Sequence, residues 1–295
     1  YSEGIYVGYK YYETRYEDAV LNQGNASSNV GIRNSKNQWK YNEEVAYPFG
    51  FGESYTTFAY ENFTCTENKD GDYNVSVDVK NTGTSKGQDA VQFYLQRPYT
   101  DYDKTNGIEN AAVNLVGFVK TDTINPGQTK RVETIIEGDK FATYDDMNKK
   151  TYILEKGNYY VTASSDSHNA INNILAKKGK TPQNTNNVMD GEGNANLVAE
   201  FNIQKDDFTK YSKTKTNNSI TNRFDDVNWN TYQNKDEVEI TYLSRKDWQS
   251  TYPKQKYNLS VNAAMLKDLG WDEILEAHPE DKSFSIAALT LKLYF

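Results

Sequence analysis

The sequence has a single cysteine, Cys65, and only two histidines, His168 and His278. One cysteine excludes an internal disulfide framework and a zinc site built from several thiolates. Two histidines leave little material for a multi-histidine metal centre or a Ser–His catalytic triad. Cys65 lies in a strand-like run, Phe63–Thr66, so we expect its thiol to be buried and unreactive. The sequence therefore predicts no metal site.

Long apolar runs and basic clusters are missing as well. No stretch of about 18 apolar residues occurs, so the sequence predicts no membrane span. The net charge is −8 and Lys and Arg form no stripe, which argues against a nucleic-acid partner. No glycine-rich phosphate loop is present, and we predict no cofactor. The hydrophobic fraction is only 37%, although 24 Tyr and 12 Phe can supply buried surface.

After Phe58 the side chains alternate between apolar and polar with a period of two. The segments 75–80 and 91–96 show this pattern, which is typical of antiparallel strands with one face in water. Turn-forming dipeptides separate further predicted strands, at Asn114–Thr121, Lys130–Ile136, Tyr152–Leu154 and Asn158–Ser164. About seven short strands in this spacing predict a mainly β fold of the sandwich type.

Two phrases near the N-terminus carry a family resemblance. They are Glu3-Gly4-Ile5-Tyr6-Val7-Gly8-Tyr9-Lys10-Tyr11-Tyr12 and Pro48-Phe49-Gly50-Phe51-Gly52-Glu53-Ser54-Tyr55-Thr56-Thr57-Phe58. In this order they resemble the closing stretch of the α/β-sandwich domain of family 3 glycoside hydrolases, the retaining β-glucosidase-like enzymes. Glu53 departs from the family phrase, which has Leu there. Because an unpaired buried carboxylate is costly, we expect either an exposed Glu53 or altered local packing.

The sequence segments that follow resemble the fibronectin type III-like domain found after the α/β sandwich in many members of the family. These segments are Val77–Gly83, Ala90–Leu95, Leu115–Phe118 and Leu154–Tyr159. The resemblance covers residues 1–165. It implies a partial α/β element at residues 1–52 and a fibronectin type III/immunoglobulin-like β-sandwich at residues 53–165.

The remainder of the chain is predicted to be mixed and rich in loops. Residues 166–240 are predicted as a linker with a helix at Asn169–Lys178 and one more strand at Leu197–Ile203. Residues 241–295 are predicted as a junction segment, with helical periodicity over 259–277. The runs Asn222–Asn228 and Ile240–Trp248 resemble the junction in members with permuted domain order. That resemblance implies a (β/α)8 barrel after residue 295.

Two polar segments, 13–45 and 98–113, are predicted as surface loops. The second carries Tyr99 and Tyr102, which are the candidate substrate-binding residues because an exposed tyrosine can stack on a sugar. The alternative is that this loop packs on a neighbouring domain.

No catalytic residue is predicted in the chain. Retaining glycoside hydrolysis needs two carboxyl groups about 5–5.5 Å apart. The resemblance implies a nucleophilic Asp on the barrel and an acid/base Glu upstream of the first phrase. Asp247, in Lys246-Asp247-Trp248, and Glu3 are acidic but are not expected to take these roles. The acidic doublets are predicted as solvated turns; they are Asp145-Asp146, Asp206-Asp207 and Asp225-Asp226.

Together these features predict a non-catalytic scaffold portion of a family 3 glycoside hydrolase that hydrolyses terminal β-linked sugars. The expected partners are the catalytic barrel and α/β domains of the same protein, and an oligo- or disaccharide. The alternative is a carbohydrate-binding or adhesion module without hydrolase activity. The sequence leaves open whether the enzyme is cytoplasmic or secreted.

Overall fold

The computed structural model describes residues 2–224, 230, 239–253 and 263–268. The chain divides into two compact units. The first contains Glu3–Thr221 and Leu243–Tyr252, and the second contains Asn222–Tyr242 and the residues from Pro253 onward. In the second unit, the Asn230 side chain hydrogen-bonds to both backbone groups of Ile240, at 2.9 Å each.

The first unit is built on two antiparallel sheets. One sheet has the order β1-β2-β5 and consists of Phe58–Glu67, Tyr73–Asn81 and Thr129–Ile136. The other has the order β4-β3-β8-β9 and consists of Asn114–Lys120, Ala90–Gln96, Gly157–Ser164 and Val198–Ile203. A small hairpin joins β6, Thr143–Asp145, to β7, Thr151–Ile153. The predicted mainly β fold is therefore confirmed.

The core between the two sheets comes from the alternating apolar positions. Val75, Val77 and Val79 of β2 pack against residues of β3 and β8. The buried members of this core are Tyr73, Val75, Val77, Val79, Val91, Phe93, Leu95, Ile124, Val132, Ile136, Phe141, Leu154, Tyr159, Val161, Ala163 and Leu197. A period of two places these side chains on the inner faces, which explains why the strand bounds could be predicted to within one or two residues.

The prediction that β3 has one face in water is wrong. Gln92, Tyr94 and Gln96, on the outer face, are all buried. Helices cover this face, and the second core includes Tyr94 and Tyr160 from the sheet together with apolar residues of α1 and α4. The glutamines tolerate burial because their amides are paired. Gln96 Nε2 donates to Glu17 Oε1 at 2.9 Å and to the Ala112 carbonyl at 2.7 Å.

The covering layer consists mainly of two helices, α1 (Tyr9–Val20) and α4 (Ser167–Lys177). The predicted surface loop over 13–45 is thus wrong at its start, since residues 13–20 are helical and buried. Charged residues of α1 find partners inside the unit, so a polar sequence there does not mean exposure. The predicted helix at Asn169–Lys178 is confirmed as α4, whose first turn is capped by Asp166.

Four shorter α-helices and three 3-10 helices also lie in the described residues, the latter at Gly138–Phe141, Gln183–Thr185 and Ala195–Leu197. The four α-helices are α2 (Tyr41–Glu44), α3 (Asp101–Asn106), α5 (Trp248–Thr251) and α6 (Ala263–Asp268). α3 lies within the predicted 98–113 loop. α6 falls within the helix predicted over 259–277, and the rest of that range lies outside the described residues. Across the described ranges, no helix combines the length and apolar character that crossing a bilayer requires.

Candidate functional site

A buried charge cluster lies on α1, where Glu17 and Asp18 meet Arg245. Arg245 Nη2 contacts Glu17 Oε2 at 3.0 Å and Asp18 Oδ1 at 2.5 Å, and its Nη1 donates to the Asn110 carbonyl at 3.0 Å. Lys178 Nζ lies 2.6 Å from Glu17 Oε1. Burial by itself would raise the pKa of Glu17, but Lys178 and Arg245 outweigh it and lower that pKa to about 2. Burial raises the pKa of Asp18, against the opposing effect of Arg245, so the two neighbouring carboxyl groups shift in opposite directions.

Residues 243–252, called here the 243–252 segment, bring Arg245 to this cluster. Trp248 is fully buried, and its Nε1 donates to Asp18 Oδ2 at 2.9 Å. Its ring packs edge-on against Tyr6 and Tyr11, with centroids 5.0 and 5.5 Å away. Asp247 caps α5 by accepting from the backbone N–H groups of residues 249 and 250. This capping gives Asp247 a local structural role.

A second polar cluster joins α1 to α4 through His168. Its Nδ1 lies 2.9 Å from Glu13 Oε2, and its Nε2 lies 2.8 Å from Asp190 Oδ1. The Tyr41 ring stacks on the imidazole at 3.8 Å between centroids. Burial would lower the pKa of His168, but the hydrogen bonds and charges of Asp190 and Glu13 raise it to about 9. His168 is thus an imidazolium that bridges two carboxylates at neutral pH.

The 98–113 segment, with the two candidate sugar-binding tyrosines, is more ordered than a plain loop. Thr100 and Asp103 form a capping box at the start of α3. The Tyr99 ring is half-buried, with the Arg245 guanidinium carbon 4.8 Å from its centroid. Tyr102 is half-buried as well, and its hydroxyl donates to Asp145 Oδ2 at 2.6 Å. Sugar binding by these tyrosines stays a prediction.

Two further carboxyl groups meet beneath this segment, and the sequence reasoning missed them. Asp103 and Glu155 are 0% and 1% exposed. Thr100 contacts both: its backbone N–H donates to Asp103 Oδ2 at 3.0 Å, and its hydroxyl donates to Glu155 Oε1 at 2.6 Å. The Thr-x-x-Asp spacing could have indicated Asp103 as a helix-capping residue. Nothing local to the sequence links it to Glu155.

The remaining acidic residues occupy varied places. Glu3 and Glu53 are exposed, so the first of the two expectations for Glu53 holds. The expectation of a solvated turn is wrong for Asp145, which is buried and accepts from the N–H groups of residues 147 and 148. Asp207 caps an exposed turn, as expected. Asp225 and Asp226 lie outside the described residues.

Cys65 packs at the edge of the sandwich core and is half-buried. Burial raises the pKa of its thiol to about 12, so the thiolate is disfavoured at neutral pH. Among the described residues, no group of three or more His, Cys, Asp or Glu side chains is placed to hold a metal ion.

An open groove of about 500 Å³ crosses the outer face of the β1-β2-β5 sheet. Its lining consists of Thr64, Thr66, Asn74, Val75, Ser76, Glu133, Thr134 and Ile135, which include one carboxylate. That carboxylate, Glu133, pairs with Arg131 at 3.3 Å. A retaining glycosidase needs two facing carboxyl groups, so this groove does not supply that chemistry.

Exposed aromatic side chains are concentrated in residues 47–55, called here the 47–55 segment. Tyr47 is 72% exposed and Tyr55 is 99% exposed. Phe49 and Phe51 are about half exposed, and the rings of Tyr47 and Phe51 lie 5.0 Å apart. Single exposed apolar residues are common on protein surfaces, but several in one short segment are typical of an interaction site.

Comparison with known proteins places these features in context. A fibronectin type III-like domain model matches residues 89–167. A probable β-glucosidase K of Emericella nidulans is 33% identical over 172 residues, covering 58% of this chain and 16% of that protein. β-Glucosidase A of Butyrivibrio fibrisolvens is 32% identical over 177 residues, covering 54% of this chain and 18% of that protein.

Among solved structures, β-glucosidase 3B from Thermotoga neapolitana in complex with α-D-glucose superposes with a TM-score of 0.44 at 24% identity. The superposition covers 70% of this chain and 20% of that one. The chain thus spans less than a fifth of the length of the two curated relatives described above.

Proposed function

Because this chain is related to the family 3 glycoside hydrolases and carries a fibronectin type III-like domain, we propose that it is a non-catalytic scaffold portion of such an enzyme. The parent reaction would be retaining hydrolysis of a terminal β-linked sugar. The role of the chain would be to pack against the catalytic barrel and α/β domains and to hold them in place.

The observation that carries this proposal is the state of the buried acidic groups. Glu17 and Asp18 are held by Arg245, and Glu13 is bridged to Asp190 by His168. The Asp103 carboxyl group has no exposed surface. A sugar has to lie between two accessible carboxyl groups for retaining hydrolysis. None of these acidic groups offers that arrangement.

The exposed 47–55 segment supports the same proposal. Its aromatic rings add to the apolar surface of Ile5 and Val7, which are also exposed. Burying such rings against another domain would stabilise the association by about 25 cal/mol for each Å² removed from water. The relatives are more than five times the matched length, so they have further domains that could cover this surface.

The test is turnover of an aryl β-glucoside by the purified 295-residue chain and by the full-length parent enzyme. We expect hydrolysis by the parent and none by the chain, with folding of the chain verified by its cooperative unfolding. An Asp247→Asn variant of the parent should stay active, because Asp247 caps a helix. Turnover by the chain alone would overturn the proposal.

The candidate substrate contact at Tyr99 and Tyr102 remains a finer proposal. If the 98–113 segment borders the active site of the parent, these are the two aromatic rings of the segment that could contact the sugar. In the alternative function, a sugar-binding module without hydrolysis, the same two rings would form the sugar contact.

A further inference from the structure

The Asp103 and Glu155 carboxyl groups form a buried acidic pair between two parts of the first unit. Asp103 lies in the first turn of α3, within the 98–113 segment. Glu155 lies in the connection between β7 and β8. Both side chains are almost completely removed from solvent, at 0% and 1% exposure. Two carboxylates in such a place need either cations or protons.

Only half of the carboxyl oxygens of Asp103 and Glu155 accept a hydrogen bond from an N–H or O–H donor. Asp103 Oδ2 accepts from the Thr100 N–H at 3.0 Å and from Asn110 Nδ2 at 3.1 Å. Glu155 Oε1 accepts from the Thr100 hydroxyl at 2.6 Å. Asp103 Oδ1 and Glu155 Oε2 are buried, and no N–H or O–H group of the described residues donates to either. Because Thr100 donates to both carboxyl groups, the two groups lie side by side, and a proton on one of them would supply the donor that these two oxygens lack.

The surroundings decide which group carries that proton. Burial raises the pKa of Asp103, but its two N–H donors and the Arg245 cation oppose this and favour its ionised form. Glu155 receives one hydroxyl and faces the charges of Asp103 and Asp206. Tyr159 contributes no charge, since its hydroxyl pairs with the backbone of Glu155. The neighbouring hydroxyls of Tyr99 and Tyr102 are neutral at physiological pH.

We propose that Asp103 and Glu155 share a single proton at neutral pH, carried by Glu155, and that this proton fastens the 98–113 segment to the β7–β8 connection. The segment is therefore held in a pH-dependent way. Burial first, and the Asp103 charge second, raise the pKa of Glu155 above its ordinary value. When the proton leaves, two like charges remain buried side by side, and the segment loses its attachment.

The sign of the pH effect follows from linkage. Glu155 keeps its proton in the folded chain at pH values where it is ionised in the unfolded chain. Stability from this proton is complete below the ordinary glutamate pKa and is lost as the pH rises toward the raised pKa. Across that window, each pH unit changes the unfolding equilibrium constant about tenfold for one bound proton.

The test compares the full chain with its Glu155→Gln variant. A Gln amide can donate to Asp103 Oδ1 and accept from Thr100 at any pH, so it replaces the shared proton permanently. The unfolding constant of the wild type, divided by that of the variant, should rise with pH by about tenfold per unit above the ordinary glutamate pKa. A ratio that does not change with pH would overturn the proposal.

A control variant and two further measurements keep the test decisive. Glu67→Gln removes an exposed carboxyl group at the end of β1, and its ratio to the wild type should stay constant with pH. In the wild-type chain, the side-chain ¹³C signal of Glu155 should titrate well above the ordinary glutamate value. Amide hydrogen exchange of residues 98–113 should accelerate with pH more steeply in the wild type than in Glu155→Gln. Titration of Glu155 at the ordinary value would refute the shared proton even if the variant failed to fold.

Discussion

At the residue scale, buried charged side chains of the first unit are paired with groups of opposite charge. His168 contacts Glu13 and Asp190, and Glu17 contacts Lys178 and Arg245. Desolvating an ion costs several kcal/mol, so each buried charge here depends on its partners. Removing one member of a cluster leaves the others buried with fewer partners. Single substitutions at these positions therefore test the arrangement directly.

We predict that His168→Gln removes a pH-dependent part of the stability. The pKa of His168 is raised from 6.5 to about 9, so its charge stabilises the fold fully below pH 6.5 and the effect is lost as the pH rises through 9. At neutral pH the variant should lose on the order of 2–3 kcal/mol of unfolding free energy, and the loss should shrink at alkaline pH. Urea unfolding at several pH values measures it.

A suitable control is His278→Gln, which removes the other histidine of the chain. Comparing the two variants shows how much of the pH profile is specific to His168. If His168→Gln shows the same loss at neutral and at strongly alkaline pH, the imidazolium bridge is not the source of the stability.

At the element scale, the 243–252 segment is joined to α1 by side chains more than 200 positions apart in sequence. Arg245 and Glu17 are separated by 228 positions, and Trp248 and Asp18 by 230. The segment supplies a cation to Glu17 and Asp18 of α1, and these two carboxyl groups offset the cost of burying Arg245. The two elements therefore depend on each other for stability.

We predict that Arg245→Met lowers the unfolding free energy by about 3–5 kcal/mol, because Asp18 loses its cation and Glu17 keeps only Lys178 while both remain buried. Lys246→Met is the matched control. Lys246 is exposed, and its replacement should change stability by no more than about 0.5 kcal/mol. Chemical denaturation of both variants gives the comparison. Equal effects would show that the buried contact of Arg245 contributes no stability.

The 98–113 segment illustrates how a short element is positioned by its neighbours. Gly157 has a φ of +140°, and a Cβ added there would lie 2.8 Å from the side chain of Pro98. Only glycine suits that backbone conformation and lets the start of the segment approach β8 so closely. The capping box of α3 and the shared proton of Asp103 and Glu155 then hold the rest of the segment.

At the scale of the whole molecule, the 47–55 segment concentrates exposed aromatic side chains in one short part of the surface. We predict that Phe51→Ser and Tyr55→Ser leave the stability of the isolated chain within about 0.5 kcal/mol, because both rings are largely exposed. In the full-length parent the same substitutions should lower the thermal midpoint and the β-glucosidase activity, because the rings would be buried against another domain.

Phe118→Ser is the control for this prediction. Phe118 is 69% exposed but lies on β4, away in sequence from the 47–55 segment. Its replacement should have little effect on the parent enzyme. Equal losses from all three substitutions would indicate a general effect of removing aromatic rings rather than a domain interface.

Much of the sandwich could be predicted because a strand with one buried face shows apolar and polar residues in alternation along the sequence. The bounds of β2, β3, β5 and β8 follow from apolar residues two positions apart, and the segments that resemble the family agree with them. The helix predicted over Asn169–Lys178 is α4, and the structure adds its cap, Asp166. The expectation of a surface loop over residues 13–20 failed because α1 is rich in charge. Local polarity gives no information about a partner elsewhere in the chain.

The sequence by itself determined the mainly β fold, the resemblance to β-glucosidases and, through its single cysteine, the exclusion of an internal disulfide. Only the tertiary structure decided that β3 is buried on both faces, that Arg245 pairs with two carboxyl groups of α1, and that Asp103 lies beside Glu155. The physical reason is the range of the interactions. Alternation and capping act between residues a few positions apart, whereas the burial of a charge depends on which distant side chain reaches it.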